Sequence, residues 1–118
     1  MAVPKEQSGP AFSRARAAHL KLGEYGELQA ERLLIELGLD ILTANFATDH
    51  GEIDIVAQEA EVLCFVEVKT RHRAKRARPA AAVGREKRRR IVRAAQRYLR
   101  EIGRPDIRYR YDIVEVLA

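Results

Sequence analysis

Tryptophan is absent from the chain, and cysteine and methionine occur once each. A lone Cys64 cannot close an intramolecular disulfide, and without a second cysteine neither a zinc ribbon nor a paired-thiol redox centre can form. Long apolar runs are also missing. No stretch approaches the ~20 apolar residues that span a bilayer, and Met1 to Leu22 lacks the continuous apolar core of a secretion signal. The expectation is a cytoplasmic protein with no membrane partner. At 118 residues the chain suffices for one domain and falls short of two.

Acidic residues are nearly missing from one segment. Between Arg71 and Arg100 there are thirteen Lys or Arg and one acid, Glu86, a local balance of +12 within a total of +5, so the remainder carries −7. A basic segment joined to an acidic remainder points to a polyanion-binding surface beside a site that collects carboxylates. The near absence of neutralising acids favours nucleic-acid contact over a merely solvated face. Arginines without clustered aromatics suit duplex or branched backbones better than a stacking platform for single strands. Arg71, Arg73, Lys75, Arg76, Lys87, Arg89 and Arg93 are the candidate contacts.

The first twenty residues, with Pro4, Ser8, Gly9 and Pro10, read as a flexible arm turning helical toward its end. The domain proper is expected over 21–118. Leu28, Leu33, Leu34 and Leu37 recur at helical spacing from about Lys21 to Leu37, and Gly38 stands where a left-handed terminating residue belongs. Leu39 to Phe46 predicts a strand, followed by a turn over Thr48 to Gly51. Glu52 to Gln58 and Val62 to Thr70 then form a hairpin across three residues.

A pairing whose residue numbers sum to 121 sets Asp54 opposite Glu67, Val56 opposite Phe65 and Glu52 opposite Lys69 on one face. Ile53, Ile55, Val66 and Val68 fall on the other. Both faces are partly apolar, so both should be covered. After Pro79 the pattern over Ala80 to Ile102 is helical, with Val83, Ile91, Ala94, Ala95, Tyr98 and Ile102 inward and Gly103 closing it. Ile107 to Leu117 gives a last strand, returning parallel through a crossover. The predicted order is α-β-β-β-α-β, an α/β fold with a mixed sheet and helices on both faces.

Asp54, Glu67 and Lys69 stand out because their neighbours are apolar strand residues. Glu67 and Lys69, two apart, share a face, and the hairpin register brings Asp54 beside Glu67. Two adjacent half-buried acids repel unless a cation neutralises them, and a hard divalent ion, Mg²⁺ or Mn²⁺, is the natural choice. Such an ion near a lysine suits phosphodiester hydrolysis. Lys87 continues the inner helix stripe. It either reaches a phosphate or the site, or packs its methylenes while the ammonium meets water. Cys64, on the face opposite Glu67, is expected to be an inert core residue, and Asp112 a structural one.

The strings Gly-Glu-Tyr-Gly-Glu-Leu-Gln-Ala (23–30), Gly-Glu-Ile-Asp (51–54), Phe-Val-Glu-Val-Lys-Thr-Arg (65–71), Lys87 and Tyr-Asp-Ile-Val (111–114) resemble the YraN-type uncharacterised bacterial family. That family is similar in motif to the PD-(D/E)xK nucleases, in particular the archaeal Holliday-junction resolvases. The resemblance implies a restriction-endonuclease-like core and a metal-dependent endonuclease acting on DNA, with branched or repair intermediates as candidate substrates. It implies that Asp54 and Glu67 ligate the metal, that Lys69 serves the attacking water, that Glu27 adds an acid, and that Val68 offers a carbonyl. Ile53 replaces the proline of the superfamily's name. Resolvase-like enzymes act as homodimers on a symmetric junction, which makes a homodimer one candidate assembly here, although no dimer surface is identifiable in the sequence and the oligomeric state stays open. The alternative function is a non-catalytic nucleic-acid-binding module with a nuclease-like fold.

Overall fold

The computed structural model describes residues 14–72, 84–104 and 106–118, with side chains described from Leu22 onward. Helix α1 runs over Arg14–Glu36, strands β1 over Asp40–Thr48, β2 over Gly51–Glu59 and β3 over Val62–Arg71, helix α2 over Arg85–Ile102, and strand β4 over Arg108–Leu117. This is the α-β-β-β-α-β order expected from the sequence. Helix α1 begins at Arg14, inside the stretch read as an arm, and residues 1–13 lie outside the described ones. The basic loop with Arg73, Lys75 and Arg76, together with Val83, also lies outside them.

The four strands form one mixed sheet in the order β1-β2-β3-β4, antiparallel except for the parallel β3–β4 pair. Alternation along the strands sends successive side chains to opposite faces, and each face buries its own core. Ala30 and Leu34 of α1 pack with Ile55, Ala57, Cys64 and Val66 on one face. Ala94, Ala95 and Leu99 of α2 pack with Val56, Leu63 and Phe65 on the other. The mixed sheet with a helix on each side is compatible with a restriction-endonuclease-like core.

The helices are stopped by glycine in the left-handed region. Gly38 has φ +93°, and the Leu39 N–H donates to the Leu34 carbonyl, with Gly38 donating to Ile35. Gly103 ends α2 in the same way at φ 67°, as the handedness of these caps requires.

Three details depart from the sequence reading. The inner face of α1 is Gly26, Ala30 and Leu34, whereas Leu28, Leu33 and Leu37 are exposed. Small residues win because the helix comes so close to the sheet that a Cβ on Gly26 would lie 1.8 Å from Thr70 Oγ1. On α2, Leu99 is buried and Ile102, the last residue of the helix, is exposed. In the hairpin, Ile55 pairs with Val66 and Val56 with Phe65, the expected register, but the ladder stops there. Beyond it β2 bends away, and Ile53 packs with Val56 and Phe65 under α2 instead of following Ile55.

Candidate active site

The divergence of β2 from β3 creates the setting of the candidate acids. Even-numbered residues of β3 turn their amides toward β2, because the odd-numbered Arg71 carbonyl accepts from Ala118 on the β4 side and backbone directions alternate. Where the ladder ends, the Val68 N–H donates to Asp54 Oδ2 at 2.8 Å. The side chain thereby takes an amide that would otherwise go to a β2 carbonyl, and the hydrogen bond locks the carboxylate across the seam. Val68 therefore meets Asp54 through its amide.

Glu67 lies on the α2 side of β3 and is 7% exposed. Its Oε1 forms an ion pair with the Lys87 ammonium from the first turns of α2. Burial pushes the Glu67 carboxyl up; Lys87 opposes this, and the adjoining Asp54 carboxylate adds to it, leaving a net rise. Lys87 itself is held up: burial works against its charge, but Glu67 more than compensates. Lys69 shifts down, first through burial and then through the neighbouring Lys87 ammonium. Asp54, Glu67, Lys69 and Lys87 thus converge at the end of the sheet where β2 and β3 part.

A concavity of about 490 Å³ opens beside this cluster, lined by Glu52, Asp54, Glu67, Glu86, Lys87, Arg90 and Ile91, with Lys69 outside its lining. Its floor is narrow because α2 crosses the start of β2 closely. A Cβ on Gly51 would lie 2.5 Å from the Arg90 carbonyl oxygen. Glu52 and Glu86 were not anticipated as lining residues. The signal for Glu86 was its isolation as the single acid of the basic segment, and Glu52 sits within the same Gly-Glu-Ile-Asp string as Asp54.

The other expected residues that are described lie outside this concavity. Glu27 is half-buried on α1, the helix that covers the opposite face of the sheet, and it does not line this concavity. Among the described residues no group of three acids, histidines or cysteines stands close enough to enclose a metal. Arg71, at the end of β3, has its Nε 3.4 Å from Glu115 Oε2. Arg89 and Arg93 are exposed on α2. Arg97 is paired with Glu101 at 2.8 Å, an intrahelical pair whose acid lies one residue past the basic segment.

The donor set fits a hard divalent cation. Two adjoining carboxylates, one destabilised as an anion by burial and by its neighbour, are what such an ion relieves. Magnesium in particular is commonly held by one or two carboxylates, with water and substrate phosphate supplying the remaining oxygens. Among the described residues no helix is long and apolar enough to cross a membrane.

Comparison with known proteins gives a consistent assignment. Residues 26–116 match the model of Uncharacterised protein family UPF0102. A UPF0102 protein of Chlorobium phaeobacteroides is 42% identical over 97 residues, covering 82% of this chain and 77% of its own. One from Rhodococcus jostii is 43% identical over 101 residues, 86% of each chain. One from Syntrophotalea carbinolica is 44% identical over 97 residues, 82% of this chain and 79% of its own. The matched span holds β1 to β3, all but the last residue of β4, both acids and both lysines, and the chain belongs to the UPF0102 family, the YraN-type family whose strings it carries.

Proposed function

We propose that this protein is a metal-dependent nuclease that hydrolyses DNA phosphodiester bonds, with branched or repair intermediates as the favoured substrates. The observation that carries the reading is the convergence of Asp54 and Glu67 with two lysines beside an exposed arginine-bearing helix. Asp54 and Glu67 would hold Mg²⁺ or Mn²⁺. When bound, such an ion polarises a phosphoryl oxygen and acidifies water.

The chain's own residues supply the rest. Arg89 and Arg93, exposed on α2, hold the phosphate backbone. Lys69, with its pKa lowered by burial and by Lys87, reaches the neutral amine more readily than a surface lysine and accepts the proton of the attacking water. As the water oxygen bonds to phosphorus, the bond from phosphorus to the leaving ester oxygen breaks, and that oxygen takes a proton from solvent. Lys87, with its pKa raised, keeps its charge and stabilises the negative charge that develops on the phosphoryl group.

The test is cleavage of duplex, branched and single-stranded DNA by purified protein with Mg²⁺ or Mn²⁺, set against Asp54→Asn and Lys69→Ala. Loss of cleavage in both variants with retained folding supports the reading. One observation favours the competing module without turnover: the Lys87 ammonium already neutralises Glu67, as a retired metal site would allow. Metal-independent binding with no cleavage of any of the three substrates would establish that alternative.

A further inference from the structure

The sheet has two edges, and they differ in how they are protected. Strand β1 is irregular, with a register shift between Ile41 and Thr43 and Asn45 at φ 54°. Bulges and left-handed residues of this kind blunt an edge against pairing. Strand β4 is ten residues long, keeps an unbroken register with β3 from Arg108 to Leu117, and has no strand on its outer side among the described residues. A long regular edge is a template for another strand, and the charges of this one, Arg108, Arg110, Asp112 and Glu115, restrict which strand it accepts.

Apolar surface flanks this edge on both faces. Helix α2 sits over β2, leaving a groove of about 340 Å³ between Ile91 and Val92 on one side and Phe65, Tyr111 and Ile113 on the other. Tyr109, Tyr111 and Ile113 are each more than 40% exposed. On the α1 face, exposed Leu33 and Leu37 border a second concavity running along Arg110, Asp112 and Val114. Isolated exposed apolar residues are ordinary, but an apolar groove on one face and a concavity of mixed leucine and charged lining on the other, meeting at one edge strand, mark an interaction surface.

The strand's own sequence names the partner. Because the Ala118 N–H points toward β3, alternation turns the amides and carbonyls of Tyr109, Tyr111 and Ile113 outward. An antiparallel copy must bond through these odd-numbered residues. Centring the pairing on Tyr111 sets Tyr111 against itself and Tyr109 against Ile113, all hydrogen-bonded pairs. The intervening positions then set Arg110 opposite the partner's Asp112 in the closer, non-hydrogen-bonded spacing. Shifting the centre to Arg110 or Asp112 would oppose like charges instead. The Arg110 and Asp112 side chains already attract each other on one strand, with Arg110 Nε 2.8 Å from Asp112 Oδ2, so each finds the same partner type across a two-fold axis.

We infer that the outer edge of β4 is an interface that takes a second copy of this chain, antiparallel and centred on Tyr111, joining two sheets into one of eight strands. The groove on the α2 face also touches Glu67, but the strand residues that would pair, Tyr109 to Ile113, lie outside the Asp54–Glu67 cluster, so the inference does not require nuclease activity.

Sedimentation velocity of the full chain, with a protomer of 13.4 kDa, reads the assembly. The wild type is expected to sediment as a dimer at about 50 μM, within the micromolar affinities common for interfaces of modest size. Arg110→Asp and Asp112→Arg each place like charges opposite one another and are expected to weaken dimerisation at least about tenfold. The double swap restores the pairing and recovers most of the loss. Tyr111→Cys puts a thiol on the axis, where hydrogen-bonded Cα atoms stand about 5.5 Å apart, within disulfide range, and mild oxidation should give a covalent dimer. A wild type that stays monomeric at about 200 μM overturns the proposal. So does a dimer that the double swap fails to restore and Tyr111→Cys fails to trap. A monomer that instead takes up an extended heterologous peptide at this edge overturns the choice of occupant.

Discussion

Replacing Lys87 with methionine keeps the aliphatic stem and deletes the ammonium that Glu67 contacts. Glu67 is 7% exposed and has Asp54 for a neighbour, so the variant leaves a carboxylate with burial and a like charge against it. Breaking a fully buried ion pair costs about 3–5 kcal/mol. The Lys87 side chain is 45% exposed, water already screens part of the pair, and about 2 kcal/mol is the expected loss at alkaline pH. The loss must depend on pH, because Glu67 can relieve itself by binding a proton.

A carboxyl whose folded pKa lies above its unfolded value contributes stability at low pH. It loses that contribution as pH rises through the folded pKa, by up to about 1.4 kcal/mol per pH unit. Deleting Lys87 raises the folded pKa further, so the variant keeps pace with the wild type in acid and falls behind as Glu67 is forced to ionise. Thermal melts from about pH 5 to about pH 8 should show a gap that widens to about 8 °C at the alkaline end, taking about 4 °C per kcal/mol for a domain of this size. A gap of equal size at both ends, or one that narrows as pH rises, would refute the electrostatic account of Glu67.

At Asp54, asparagine retains an acceptor for the Val68 amide and should leave folding nearly unchanged while abolishing Mn²⁺ binding measured by calorimetry; alanine orphans that amide and should cost a further about 1–2 kcal/mol in urea unfolding. Gly26→Ala drives a methyl into Thr70 and is expected to lose about 1–3 kcal/mol, with Thr70→Ala recovering part of it. Cys64 is fully buried, with its thiol pushed up by burial ahead of its charged neighbours, so a thiol reagent should label it only at the rate of unfolding. For nucleic-acid binding, Arg89→Ala and Arg93→Ala should each flatten the slope of log K against log salt by about 0.9 where the arginine meets a duplex phosphate.

The parts of the fold that local pattern dictates were legible in the chain. The hairpin register follows from alternating apolar residues joined by a short connection, and the parallel return of β4 follows from the helix between it and β3. Gly38 and Gly103 mark helix ends because few other residues tolerate the required backbone. What escaped was decided by distance. No periodicity signals that α1 approaches β3 closely enough to select Gly26, Ala30 and Leu34 over the larger leucines. The bend at Asp54 escaped as well, since strict alternation assigns Ile53 to the wrong face. Within the candidate site, the expected register sets Asp54 opposite Glu67, but the ladder stops at Ile55 and Val66, and Asp54 instead reaches β3 through the Val68 amide. The attachment of Lys87 to Glu67 could not be read from strand pairing, because it depends on how α2 crosses the sheet.

The bond between Asp54 and the Val68 amide makes a side chain part of the seam between two strands. Under the proposed function, a cation that drew on Asp54 Oδ2 would compete with this bond, and hydrogen exchange at the Val68 amide would then report occupancy of the cleft from inside the sheet, without a substrate, a label or turnover.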